Sequence, residues 1–201
     1  MLVEMEKTMK SLFRYFLHET KGVAAIEVAF IMPFMLLLYF GLFDLTALIT
    51  MNRKVTYAAS VVADLVAQNK TSVLKSDITN YFKASEMVMS PMPVASVRVE
   101  VFGFRKTGTT IAQFWKADNG QGSSCGAAPT TGAMDPLMVS GNDLVVSRVC
   151  TTYIPSVASF LGSYILGSAS FAVGESITER PRSTLALTCY QTTVAAGTVC
   201  S

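Results

Sequence analysis

One carboxylate is conspicuous for its surroundings. Glu27 lies inside VAAIEVAFIMPFMLLLYFGLFDLTALIT, residues 23–50, and the stretch from Val28 to Phe43 carries no charge. An ionised group within a membrane helix costs about 2.5–3.5 kcal/mol at mid-span and less near an interface, so such groups are paired, functional or able to reach water. Glu27 therefore either reaches water at the cytoplasmic interface or meets a cation that another chain supplies. The other reactive residues are the four cysteines, Cys125, Cys150, Cys189 and Cys200, all downstream of the apolar run. None belongs to a CxxC pair, and the single histidine, His18, is far upstream. The set suits disulfides in an oxidising compartment better than a zinc site. Four cysteines allow three pairings, among which the sequence does not choose; Cys125–Cys150 with Cys189–Cys200 is the expected arrangement.

Little else has the look of catalysis. Beyond Gly22 no histidine is available for a triad or a metal, and no phosphate-binding or dinucleotide-binding glycine pattern occurs. Asp118, Asp135 and Asp143 bracket a Gly-rich stretch without the spacing of a calcium loop, and are expected to be solvated loop residues. Trp115 alternates with apolar neighbours as a sheet residue would. The net charge of +2 is small and its cations scattered, which argues against a nucleic-acid partner. The reading is a protein that is not an enzyme, with no metal and no cofactor.

The elements that position these residues begin with the apolar run. A helix over residues 23–50, at about 1.5 Å per residue, exceeds the roughly 30 Å hydrocarbon thickness of a bilayer. Pro33 and Gly41 fall within it, and membrane helices tolerate both. Lys7, Lys10, Arg14 and Lys21 precede the span and Arg53 and Lys54 follow it, a slight excess favouring a cytoplasmic N-terminus. The downstream cysteines favour the same orientation. A cleaved secretory signal has a shorter apolar core that ends at a small-residue site, which this run does not match. The expected division is a leader over residues 1–22, a transmembrane helix over 23–50 and an extracytoplasmic domain over 51–201.

At the junction of leader and span, Lys21-Gly22-Val23-Ala24-Ala25-Ile26-Glu27 places a glycine five positions before the glutamate. This resembles the type IV prepilin signal, in which a peptidase cuts after the glycine and leaves glutamate as the fifth residue. The resemblance implies cleavage between Gly22 and Val23, and a new amine at Val23 that can pair with Glu27 of a neighbouring subunit. More widely, ETKGVAAIEVAFIMPFMLLLYFGLFDLTALI, with Gly22, Ala24, Ala25, Glu27, Pro33, Gly41 and Asp44, resembles the opening of TadE- and TadG-like proteins. Tyr153-Ile154-Pro155 and Thr178-Glu179-Arg180-Pro181-Arg182 resemble the family's C-terminal pattern. The family implies assembly of a tight-adherence, Flp-type pilus in a bacterium, and the chain length suits the shorter TadE-like type. Seventeen residues separate Asp44 from Glu27, which at ~100° per residue puts them on different helix faces. Asp44 is expected to mark the exported end of the span.

Beyond the span the pattern predicts an α+β domain. Val55, Ala58, Ala59, Val62, Leu65 and Val66 recur at helical spacing, so the membrane helix is expected to continue as an amphipathic stalk to about Asn69. A second helix is predicted from Lys75 to Met89, stopped by Pro91 and Pro93. Strands are predicted at Ala95–Phe104, Thr109–Lys116, Asp143–Tyr153 and Ser168–Thr178, with a hairpin turn at Lys106-Thr107-Gly108. Residues 117–142, rich in small residues, read as a long loop holding Cys125. Pro155–Leu166 reads as a short helix or an apolar loop, and the tail from Ser183 has some β-branched character. The sum is a pilin-like stalk helix on a small antiparallel sheet. The expected function is that of a minor pilin or pseudopilin, a substrate of prepilin peptidase that works with other pilin subunits and the assembly platform of the inner membrane. The alternative is an uncleaved, membrane-tethered binding module that uses the 117–142 loop.

Overall fold

The computed structural model describes residues 21–70, 72–155, 170–182 and 187–190. The chain divides into two compact units, Met1–Leu45 and Thr46–Ser201. Helix α1 (Lys21–Ala67) runs through the division without a break, with Pro33 inside it. Its first part is long and apolar enough to cross a membrane, and large side chains there, such as Phe30 at 80%, are exposed. A soluble helix would bury such a surface.

The second unit is α+β, as the alternation of patterns predicts. After α1 come β1 (Ser72–Leu74), α2 (Lys75–Met89), β2 (Arg98–Thr107), β3 (Thr110–Asp118), β4 (Asp143–Tyr153), β5 (Phe171–Glu179) and β6 (Thr188–Tyr190). Four strands form an antiparallel sheet in the order β3-β2-β4-β5. One face shares a core with the helices: Val55, Ala58, Ala59, Val62 and Val66 of α1 and Ile78 and Phe82 of α2 pack in one cluster with Val99, Val101, Trp115, Val145 and Val149. The three- and four-residue spacing on α1 thus meets the two-residue spacing on the strands, each presenting its apolar stripe.

Several boundaries move. The first hairpin strands extend to Thr107 and Thr110, leaving Gly108-Thr109 as a two-residue turn rather than one centred on Thr107. Gly108 takes a left-handed φ of 62°, which suits the twist of a tight hairpin and which glycine adopts without strain. Strand β3 runs on through Asp118, and β5 starts at Phe171. Strands β1 and β6 form a short parallel pair that no sequence pattern predicts, since three residues in each strand are too few for a periodic signal. The predicted element at Pro155–Leu166 and most of the tail lie outside the described residues.

The loop after β3 is not open. A 3₁₀ turn at Thr131–Leu137 brings Met134 and Met138 onto the second sheet face, where they form a small core with Phe102, Phe104, Leu144 and Val146. Both faces of the central strands are therefore covered. This explains why Phe102 and Phe104 share the sheet with Val99 and Val101 while facing the other way.

Candidate functional site

Two places gather the residues singled out above. The first is the start of α1. Gly22 is helical, and a side chain added there would meet nothing within 4 Å, so the backbone around it is open. Val23 is 56% exposed and Glu27 is exposed, one helical turn further on. Their spacing puts the two on the same helix face. About 25 Å of helix separates Glu27 from Asp44, and Asp44 is buried.

The second is the sheet face under the loop, where a charged cluster sits beside a disulfide. Glu100 on β2 is 2% exposed. Its Oε2 accepts from Arg148 Nε at 3.0 Å and Nη2 at 2.5 Å, and its Oε1 accepts from Lys116 Nζ at 3.3 Å. Arg98 approaches Oε1 at 3.5 Å and Asp118 at 3.3 Å, and Lys116 also reaches Asp118 at 3.6 Å. Burial pushes the Glu100 carboxyl up. Arg148, by hydrogen bond and charge, with Lys116 behind it, outweighs that and holds the carboxyl below its ordinary value. The cations on β3 and β4 flank Glu100 because cross-strand neighbours on one face meet.

Arg148 also donates to the carbonyls of Gly126 and Ala127, so it ties the loop to the sheet. Two residues along the same face of β4, Cys150 is joined to Cys125 by a disulfide, with Cα atoms 5.7 Å apart. Cys189 is disulfide-bonded as well, and Cys200 lies outside the described residues. A cleft of about 360 Å³ opens beside the bridge, lined by Ser123, Cys125, Arg148, Cys150, Gly174 and Glu175. Arg148 is committed to Glu100 and to the loop carbonyls. Among the described residues no cluster of three metal-ligating side chains occurs.

The acidic trio separates in the structure. Asp143 is not a solvated loop residue: it is 8% exposed at the start of β4, where its two oxygens accept from Arg105 Nε at 2.6 Å and Nη2 at 2.9 Å. The carboxylate raises Arg105 further above its ordinary value. Asp143 also accepts from the Leu187 backbone N–H at 2.6 Å, while Trp115 donates to the Leu187 carbonyl at 3.1 Å. Asp118 closes β3 inside the cation cluster. Asp135 remains 60% exposed by side chain and pairs with Lys106 at 2.8 Å. The missed signal was position: an aspartate that opens an alternating strand can be held by the sheet as well as by solvent.

The family model for TadE-like protein matches residues 22–64, from Gly22 near the start of α1 into its buried part. No curated protein and no solved structure gives a significant match. The α1 segment has the length and composition of a single-pass membrane anchor. Over the helix that carries Gly22, Glu27 and Asp44 the chain matches the TadE-like family, in keeping with a TadE/TadG-like protein.

Proposed function

We propose that this chain is a minor pilin or pseudopilin that takes part in assembling a tight-adherence, Flp-type pilus. A pilus-associated function is what the TadE-like match implies. The finer reading has the leader in the cytoplasm, α1 in the inner membrane and residues 51–201 in the periplasm. Prepilin peptidase cuts between Gly22 and Val23, and the new amine on Val23 of one subunit pairs with Glu27 of another. The observation that carries this reading is the matched segment, which starts at Gly22 and contains Glu27. Open backbone at Gly22 and an exposed Glu27 directly before the charge-free stretch 28–43 support it. Two charges that would each be costly in hydrocarbon compensate one another when the helices associate. The chain acts as a substrate and structural subunit, without catalysis of its own, and its contacts are other pilin subunits and the assembly platform.

The test is the N-terminus of the membrane form, read by mass spectrometry in cells with and without the peptidase. A mature chain that begins at Val23 only when the peptidase is present is the expected result. An N-terminus at Met1 in both strains sinks the processing step, and the protein is then an uncleaved anchored domain.

A further inference from the structure

The cleft beside the Cys125–Cys150 bridge opens onto the bond itself. Both cysteines line it, and both are partly exposed. On the strand side, Gly174 of β5 stands opposite Cys150. A Cβ there would come within 3.0 Å of the Cys150 Cβ, so the missing side chain leaves that flank of the bridge uncovered. On the loop side, Ser123, Ser124, Gly126 and Ala127 around Cys125 are all exposed, and the five residues carry no charge.

The loop also holds its place by contacts that do not need the bond. Before Cys125, the Asn119 N–H donates to the Val99 carbonyl at 3.1 Å, and its Oδ1 accepts from the Val99 N–H at 3.0 Å. Its Nδ2 donates to the Val97 carbonyl at 2.9 Å, and the Gly122 N–H donates to the Ala95 carbonyl at 2.9 Å. After Cys125, Arg148 takes the carbonyls of Gly126 and Ala127. Cys125 is thus fixed from both sides, with its Cα 5.7 Å from that of Cys150. Two thiols held so close join readily once one of them is activated, because the closing step is intramolecular.

We infer that this cleft is where an oxidised dithiol protein makes the bridge, after the domain has folded. The chemistry is thiol–disulfide exchange. The Cys125 thiolate attacks one sulfur of the partner's disulfide, forms a mixed disulfide and releases the partner's other sulfur as a thiolate. The Cys150 thiolate then attacks the Cys125 sulfur. The Cys125–Cys150 bond forms, and the partner leaves with both of its sulfurs reduced. Two electrons pass to the partner, and the two cysteine protons end on its thiols or in water. Cys125 reacts first because exposed chain flanks it and fits a partner's groove, whereas Cys150 is paired on both sides, with β2 and with β5. The inference rests on the reading of residues 51–201 as extracytoplasmic, where such oxidants work.

The test uses the full chain, purified in detergent and reduced without denaturant. It is then mixed with glutathione disulfide or with a bacterial periplasmic CxxC-type thiol oxidase in its disulfide form. The reduced chain should keep the native emission of Trp115, which is 3% exposed. It should re-form the bridge at least as fast as the same chain in urea, and roughly tenfold faster with the oxidase than with equimolar glutathione disulfide. Cys150→Ser should trap glutathione on Cys125, and Cys125→Ser should trap it on Cys150 roughly tenfold more slowly. Peptide mass mapping assigns each sulfur and keeps Cys189 and Cys200 apart. A reduced chain with the emission of the unfolded one overturns the inference, because the domain then needs the bond in order to fold. So do thiols that react only in urea, a bridge that glutathione disulfide makes and the oxidase does not, or faster trapping at Cys150. Acid-quenched alkylation of whole cells tests the location separately. If the purified chain closes as expected while the cellular chain carries free thiols at 125 and 150, the extracytoplasmic reading fails and takes the partner with it.

Discussion

Arg148 holds Glu100 across the β2–β4 ladder, at 3.0 and 2.5 Å, and with its remaining donors holds the backbone of residues 126 and 127. One guanidinium thus fixes both a buried carboxylate and the loop that covers it. The pair is a brace, since its neighbours are Lys116 and Arg98 and no substrate-sized space separates its members.

The first prediction concerns acid stability. The Glu100 carboxyl is held below its ordinary value, so its contribution is fully present above the unfolded-state value and is lost as pH falls through the folded one. Glu100→Gln should therefore flatten the decline in thermal midpoint below about pH 4.5, the ordinary value, while lowering the midpoint at neutral pH. Parallel pH–melting curves for the two proteins check this; identical acid limbs would show that Glu100 is not the group responsible.

A steric prediction follows at Gly103. A Cβ there would lie 2.0 Å from Trp115 Nε1, and the indole could not yield without losing its bond to Leu187. Gly103→Ala should cost about 2–3 kcal/mol, in the range for overpacked cores. Denaturant melts followed by the single tryptophan, with a red-shifted native emission, would register both effects.

Removing the bridge separates covalent from packing contributions. Cys125 and Cys150 are 25 residues apart in sequence. The double variant to serine should lose roughly 3 kcal/mol on the chain-entropy model. Hydrogen exchange should quicken at residues 119–130 and remain slow at Phe102 and Val146, which Met134 and Met138 still cover. Equal exchange throughout the sheet would mean that the small core depends on the bridge.

Asp143 should control the last strand. Asp143→Ala leaves the Leu187 N–H without its acceptor, a loss of about 1–3 kcal/mol for a buried donor. Exchange at Thr188–Tyr190, paired with Ser72–Leu74, should accelerate, and Asp143→Asn should restore part of the protection by retaining an acceptor oxygen.

At the start of α1, the proposed function separates two residues. Gly22→Leu should leave the chain uncleaved in the membrane. Glu27→Val should be cleaved normally yet fail to enter or support the pilus, because an amine without its carboxylate is costly in hydrocarbon. N-terminal mass and counts of surface pili distinguish them, and normal piliation with Glu27→Val would remove the assembly contact.

The one-dimensional patterns were decisive where they were long. The charge-free run after Glu27 declares its helix by length and composition, the stripe from Val55 to Val66 by repeated burial on one face, and Asp143–Tyr153 by a β-rich run buried on both sides. The TadE-like character is likewise local, carried by Gly22, Glu27 and their neighbours. Tertiary structure alone decided what the irregular residues do. Sequence leaves three cysteine pairings open, and the fold brings Cys150 of β4 within 5.7 Å, Cα to Cα, of Cys125 in the loop. Asp143 looked like a loop residue because its partners, Arg105 and Leu187, are 38 and 44 residues away. The loop over residues 119–142 carries no period, yet Met134 and Met138 complete a core with strands on either side of it in sequence. Contacts between distant segments leave no spacing to read, so only the folded chain reveals that this loop is a cover for the sheet.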